Sequence, residues 1–142
     1  MGSFYFLAGQ IPLIPGTMEI LNKPVLHQCK LALRHVTRIL QAMDENLNFS
    51  SIFQACCYVT SVDMVENIVS LWSYITDNEN ASVNVVVVNE LPRNAQMEWE
   101  IVASNLDNLQ GIFNSNNDLK FFFLSSQEWI RFCFSYRSNK TP

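Results

Sequence analysis

Residues 83–103 constrain the fold most. They open with a β-branched run, Val-Asn-Val-Val-Val-Val, pass through a loop at 89–94, and end in a segment, 95–103, where apolar and polar side chains alternate. A β-branched run without polar alternation suits a strand covered on both faces, whereas alternation suits a strand with one wet face. We therefore predict that 83–88 is a central strand and 95–103 its hairpin neighbour. Pro92 in the loop cannot donate to a strand ladder and marks the break.

Two helices and several further strands are predicted from local patterns. The clearest helix covers 24–43, where apolar residues recur with the helical period behind Pro24. A second helix, 64–75, follows a capping box formed by Asp63 and Glu66. The remaining strands are predicted at 4–8, 17–21, 51–60, 119–124 and 130–137, of which the last two form an aromatic C-terminal hairpin.

The order of these elements predicts an α+β fold. Each helix lies between strands, which favours a mixed sheet with both helices on one face. The length of 142 residues and the 49% hydrophobic content suit a single core. We predict a two-layer domain over 1–103, with a loop and the C-terminal hairpin of 104–142 packed on the same domain.

Composition and charge argue against several functions. The net charge is -4, and the nine Lys and Arg residues form no run, so nucleic acid is not an expected partner. No apolar run approaches the length of about 20 residues that crosses a bilayer, and no signal-peptide pattern is present. The four cysteines include no CxxC pair. We expect a cytoplasmic protein with reduced thiols, no membrane contact, no cofactor and no metal.

Glu98 and Glu100 are the candidate reactive residues. They lie two positions apart on a predicted strand, so they share a face with Cα atoms about 6–7 Å apart. Such a pair can serve as general acid and base, or it can be two solvated carboxylates on an open sheet face. The chain contains no GxSxG, HExxH, P-loop or GxGxxG motif, so the sequence leaves both interpretations of the pair open.

Three ordered segments resemble one family. They are residues 8–12 (Ala-Gly-Gln-Ile-Pro), residues 28–42 of the long helix, and residues 91–100, which read Leu-Pro-Arg-Asn-Ala-Gln-Met-Glu-Trp-Glu. This combination resembles the YjgF family, the reactive intermediate deaminases also called endoribonuclease L-PSP proteins. Residues 9–18 are most similar to the YjgF-like modules fused to the ATP-using domain of eukaryotic diphthine–ammonia ligases. The abrupt start of the chain fits a module from a longer protein.

The resemblance implies a chorismate-mutase-like fold and a homotrimer with pockets at the subunit clefts. Gly9, Gln10 and Glu98 match residues that line the family's pocket. The arginine with which the family's deaminases hold a substrate carboxylate is absent, because its place falls near Val83. Arg93 lies in the following loop, and the role of that arginine is not transferred to it.

The sequence suggests two functional classes, and we rank a third below them. The chain is expected to be a non-catalytic module that binds a small carboxylate or imine ligand or supports assembly, as a homotrimer or a pseudo-trimer with related modules. The alternative is a deaminase of 2-imino or enamino acids in which Glu98 positions water. An endoribonuclease is the third candidate. The sheet face without helices needs a cover, which a neighbouring subunit, a second module or the terminal hairpin could supply.

Overall fold

The computed structural model describes residues 2–106 and the backbone of 132–136. The strands and helices in chain order are β1 (Phe4–Gln10), α1 (Val25–Met43), β2 (Ile52–Val59), α2 (Val65–Thr76), β3 (Ser82–Val87), β4 (Met97–Ser104) and β5 (Phe132–Tyr136). Short 3-10 helices cover Phe49–Ser51, Val62–Met64 and Pro92–Asn94. None of the helices in these ranges is long and apolar enough to cross a membrane.

The strands form one mixed sheet in the order β1-β4-β2-β3-β5. Only β2 and β3 run parallel, and every other neighbouring pair is antiparallel. Both helices pack on one face, so the predicted α+β fold of two helices on a mixed sheet is confirmed. The layer between them is the core, where the Trp72 and Trp99 rings lie 5.2 Å apart.

The predicted hairpin of 83–88 with 95–103 is wrong, because β2 lies between β3 and β4. Ala55 of β2 pairs with Val83 on one side and with Ile101 on the other. The loop between β3 and β4 passes the end of β2. There the Val88 amide donates a 2.8 Å hydrogen bond to the Val59 carbonyl. The central strand of the sheet is β2, and β3 lies between β2 and β5.

The structure also tests the predicted strand 17–21 and part of the predicted C-terminal hairpin. Residues 17–21 form no strand, since only a single bridge joins Leu13 to Ile20 around a turn with left-handed backbone at Gly16 and Met18. In the C-terminal region, residues 132–136 pair antiparallel with β3 as the edge strand. The other half of that predicted hairpin, 119–124, lies outside the described residues, as does most of the predicted extension 104–142.

Candidate functional site

The sheet face opposite the helices carries the candidate site. On β4, Met97, Trp99 and Ile101 are buried under the helices, and the alternate residues point to the other face. Large apolar side chains stand exposed there, with Phe6 72% and Phe4 48% accessible. We call this surface the open face and define it by Phe4, Phe6, Tyr58, Glu98, Glu100 and Val102.

Gly9 and Glu98 are in direct contact on the open face. A register shift between Leu7 and Gln10 places two residues of β1 opposite one residue of β4, which is a β-bulge. The bulge lets the Glu98 side chain lie over the Gly9 α-carbon, where a Cβ atom at Gly9 would overlap the carboxyl group. Glycine is therefore needed here for the close approach of a side chain.

Gln10, the third residue matched to the family's pocket, is engaged locally. Its side-chain amide donates a 2.9 Å hydrogen bond to the carbonyl of Ala8 on the same strand. The structure thus brings Gly9 and Glu98 together, and Gln10 directly follows Gly9 and pairs with Trp99, the residue after Glu98. The sequence-based assignment of these three residues to a ligand pocket stays a prediction.

The surroundings of Glu98 and Glu100 disfavour a further negative charge beside these two carboxylates. Partial burial, and then the charge of Glu100, raises the pKa of Glu98 above its usual range. Within residues 2–106 no Lys or Arg side chain lies within ion-pair distance of either carboxylate. Glu98 is therefore a half-buried carboxylate that gains a proton more readily than an ordinary glutamate.

Tyr58 completes the polar part of the open face, and the sequence interpretation missed it. Its hydroxyl donates a 2.8 Å hydrogen bond to Glu100, and burial together with that carboxylate raises the pKa of Tyr58. Tyr58 pairs across the strands with Glu98, while its hydroxyl reaches the carboxylate of Glu100. A signal existed in the alternation of β2, where Cys56 and Tyr58 fall out of phase with the buried residues.

The two places considered for an arginine both lie away from Glu98. Val83 is only 4% exposed and belongs to the core under the helices, so its side chain is on the opposite face of the sheet. Arg93 donates a 3.1 Å hydrogen bond to the carbonyl of Met18, and both residues have left-handed backbone. Arg93 therefore fastens the loop before β4 to the turn after β1.

The open face offers a proton acceptor, a phenolic donor and an apolar surround. It offers no cluster of three metal-ligating side chains within the part of the chain that the structure describes. Such a site can accept hydrogen bonds from an amine or imine at Glu98. A carboxylate ligand would need a cation from outside residues 2–106.

The profile of the family described as endoribonuclease L-PSP matches residues 1–105. The chain belongs to the endoribonuclease L-PSP family. Within this family it is 35% identical over 99 residues to the diphthine–ammonia ligase of Schizosaccharomyces pombe, an alignment that covers 68% of this chain and 16% of the ligase. The chain thus spans only a small part of that relative's length. The resemblance to YjgF proteins and to the ligase modules is confirmed.

Solved structures of endoribonuclease L-PSP proteins share the fold. A Thermotoga maritima protein, described as a candidate endoribonuclease, superposes with a TM-score of 0.64 at 25% identity, covering 70% of this chain and 77% of that one. Escherichia coli TdcF, solved with bound serine, gives a TM-score of 0.62 at 27% identity over 71% of this chain and 80% of its own. TdcF is named as a candidate reactive intermediate deaminase.

Proposed function

We propose that this chain is a non-catalytic YjgF-like module that binds a small ligand or supports assembly within a larger, diphthine–ammonia ligase-like protein of the cytoplasm. The observation that carries the proposal is the pair Glu98 and Glu100 on the open face, beside which residues 2–106 place no Lys or Arg side chain. The match to one segment of the S. pombe ligase supports the larger context.

Charge explains why the site is poorly suited to deamination of an imino acid. The carboxylate of a 2-imino acid would approach two carboxylates in a partly desolvated place, and like charges brought together in an interface cost several kcal/mol. A loss of that size in transition-state binding corresponds to a rate reduction of about a thousandfold or more. The imine end of the same ligand, in contrast, can donate a hydrogen bond to Glu98.

Exposed aromatic side chains support an assembly role. Phe4 and Phe6 form an apolar strip on β1, and Phe4 packs edge-on against Phe53 with ring centroids 5.8 Å apart. Single exposed apolar residues are ordinary, but a contiguous apolar strip rimmed by polar residues is typical of an interaction surface. We propose that copies of the chain, or related modules, cover the open face in a homotrimer or pseudo-trimer.

The test is release of ammonia from freshly generated 2-iminobutyrate. Buffer alone and the Glu98→Ala variant are the controls, and the variant leaves the buried face of β4 intact. We expect the wild-type chain and the variant to give the rate seen in buffer. Turnover well above buffer that disappears in Glu98→Ala would contradict the proposal.

A deaminase is the alternative that one observation favours. Glu98 lies in a niche made by Gly9, and burial raises its pKa above the usual range, a direction that favours a role in proton transfer. This alternative requires a cation that residues 2–106 do not place beside Glu98. A pH–rate profile with an apparent pKa that shifts in the Glu100→Gln variant would support it.

A further inference from the structure

A second groove lies on the helix side of the domain, away from the open face. It has a volume of about 570 Å³ and runs between α1 and α2. The lining side chains are Lys30, Arg34, Thr37, Arg38, Gln41, Phe49, Tyr74 and Ile75. We call this surface the helix groove.

The helix groove concentrates the positive charge of an acidic chain. Residues 2–106 contain five Lys and Arg residues against ten Asp and Glu, yet three of the five cations line this groove and no carboxylate does. Lys30, Arg34 and Arg38 are all exposed and follow one another at intervals of four residues. That spacing makes a row of cations on one side of α1, about 6 Å apart along the axis and about 12 Å in total.

The other wall of the groove is apolar and aromatic. Tyr74 is 71% exposed, and its ring lies 5.2 Å from the Lys30 ammonium nitrogen. Phe49 and Ile75 continue this wall. Each cation–π contact of this kind is worth about 0.5–1 kcal/mol at an exposed site, so it holds Lys30 in place beside the ring.

We propose that the helix groove binds an acidic protein segment, with carboxylates about one helical turn apart along the row of cations and one apolar side chain against Tyr74. Carboxylates at such intervals match Lys30, Arg34 and Arg38 one to one, and charge complementarity fixes the register of the segment. A single carboxylate or phosphate group could not contact all three cations over about 12 Å. This inference is independent of the proposed function at the open face.

A nucleic acid fits the same surface less well. Three cations in one row can neutralise only a few phosphates, and the ten carboxylates of residues 2–106 repel a longer polyanion. A short acidic peptide can contact the row of cations without extending towards those carboxylates. The choice between these two classes of partner is an outcome of the test.

The experiment measures binding of a fluorescent peptide to the full chain by anisotropy at low salt. The probe is a helix-forming peptide of about twelve residues with three glutamates at intervals of four and one leucine, and its control has glutamine for each glutamate. We expect Arg38→Glu to weaken binding at least about tenfold, since one charge contact becomes a repulsion. Lys23→Glu makes the same change in net charge outside the groove, and we expect it to weaken binding less than about twofold.

Tyr74 provides a second, uncharged test. Tyr74→Ala should weaken peptide binding several-fold, while Tyr74→Phe keeps the ring and should retain binding. Equal weakening by Lys23→Glu and Arg38→Glu, or equal binding of the glutamate and glutamine peptides, would overturn the proposal. Tighter binding of a labelled single-stranded oligoribonucleotide than of the peptide would also overturn it and assign the groove to nucleic acid.

Discussion

The carboxyl group of Glu98 lies directly on the α-carbon of Gly9, across a β-bulge that joins the first strand to the fourth. This contact explains why residue 9 is a glycine. It also accounts for part of the burial that raises the pKa of Glu98. The residues are far apart in the chain, and β4 places one against the other.

Gly9→Ala should displace the Glu98 side chain rather than unfold the domain. The new methyl group overlaps the end of a flexible side chain, which can rotate away at a cost of about 1 kcal/mol or less. Once displaced, Glu98 is better hydrated, so its pKa should fall towards that of an ordinary glutamate. NMR titration of the Glu98 carboxyl carbon measures this change. An unaltered Glu98 pKa in the variant would show that the contact with Gly9 does not bury the carboxyl group.

Glu98→Gln should stabilise the protein near neutral pH. Because the pKa of Glu98 is raised on folding, its contribution to stability is fully present below the unfolded value near 4.5 and is lost as the pH rises through the folded pKa. A neutral isostere avoids that loss. We expect a gain on the order of a few tenths of a kcal/mol at about pH 7, after allowance for screening, and none at about pH 3.5.

The measurement is urea unfolding of both proteins at the two pH values and at matched concentration. Glu45→Gln, which removes an exposed carboxylate from the turn after α1, is the control. A gain for Glu98→Gln that is as large at the acidic pH as at neutral pH would contradict the assignment to its charge.

Asn78 should be one of the residues most sensitive to substitution outside the apolar core. Its buried side-chain amide donates to the carbonyls of Phe49 and Ile52 at 2.7 and 2.8 Å, and its side-chain oxygen accepts from the amides of Asn80 and Ala81. Asn78→Ala removes both side-chain donors and the side-chain acceptor, and the Phe49 carbonyl keeps only its bond from the Ile52 amide. We expect a loss of about 3 kcal/mol in the free energy of unfolding.

Chemical denaturation followed by tryptophan fluorescence measures the effect of Asn78→Ala, because the Trp72 indole donates to the Asn78 carbonyl at 2.8 Å. The exposed neighbour Asn80 provides the control variant Asn80→Ala, for which a loss below about 0.5 kcal/mol is expected. Similar losses in the two variants would show that the bonds of Asn78 add little stability.

A charge on the open face should disrupt assembly. Phe6→Lys places an ammonium group in the apolar strip that we propose is covered by another copy or module, and a buried unpaired charge strongly disfavours association. Sedimentation velocity should show the wild-type chain as trimers and the variant as monomers. Val62→Lys changes a side chain that is 62% exposed near the start of α2, and it should leave the trimer intact. A wild-type chain that is monomeric at high concentration would contradict the proposed assembly.

The sequence determined the local elements of this protein. The predicted helices 24–43 and 64–75 agree closely with Val25–Met43 and Val65–Thr76, because the helical period and the capping residues act within a few turns of the chain. The alternation in 95–103 likewise gave the correct buried side of β4, since neighbouring side chains of a strand must point to opposite faces. The family's motifs also lie in continuous segments.

The tertiary structure alone decided which strands are neighbours and which side chains meet. A strand's pairing partner depends on the whole sheet, so nothing local in 83–103 reveals that β2 separates β3 from β4. The bulge that brings Gly9 to Glu98 arises from the register of two distant strands. Lys30, Arg34 and Arg38 look scattered in the sequence. They line a groove only because α2 packs beside α1 and supplies Tyr74 as the opposite wall.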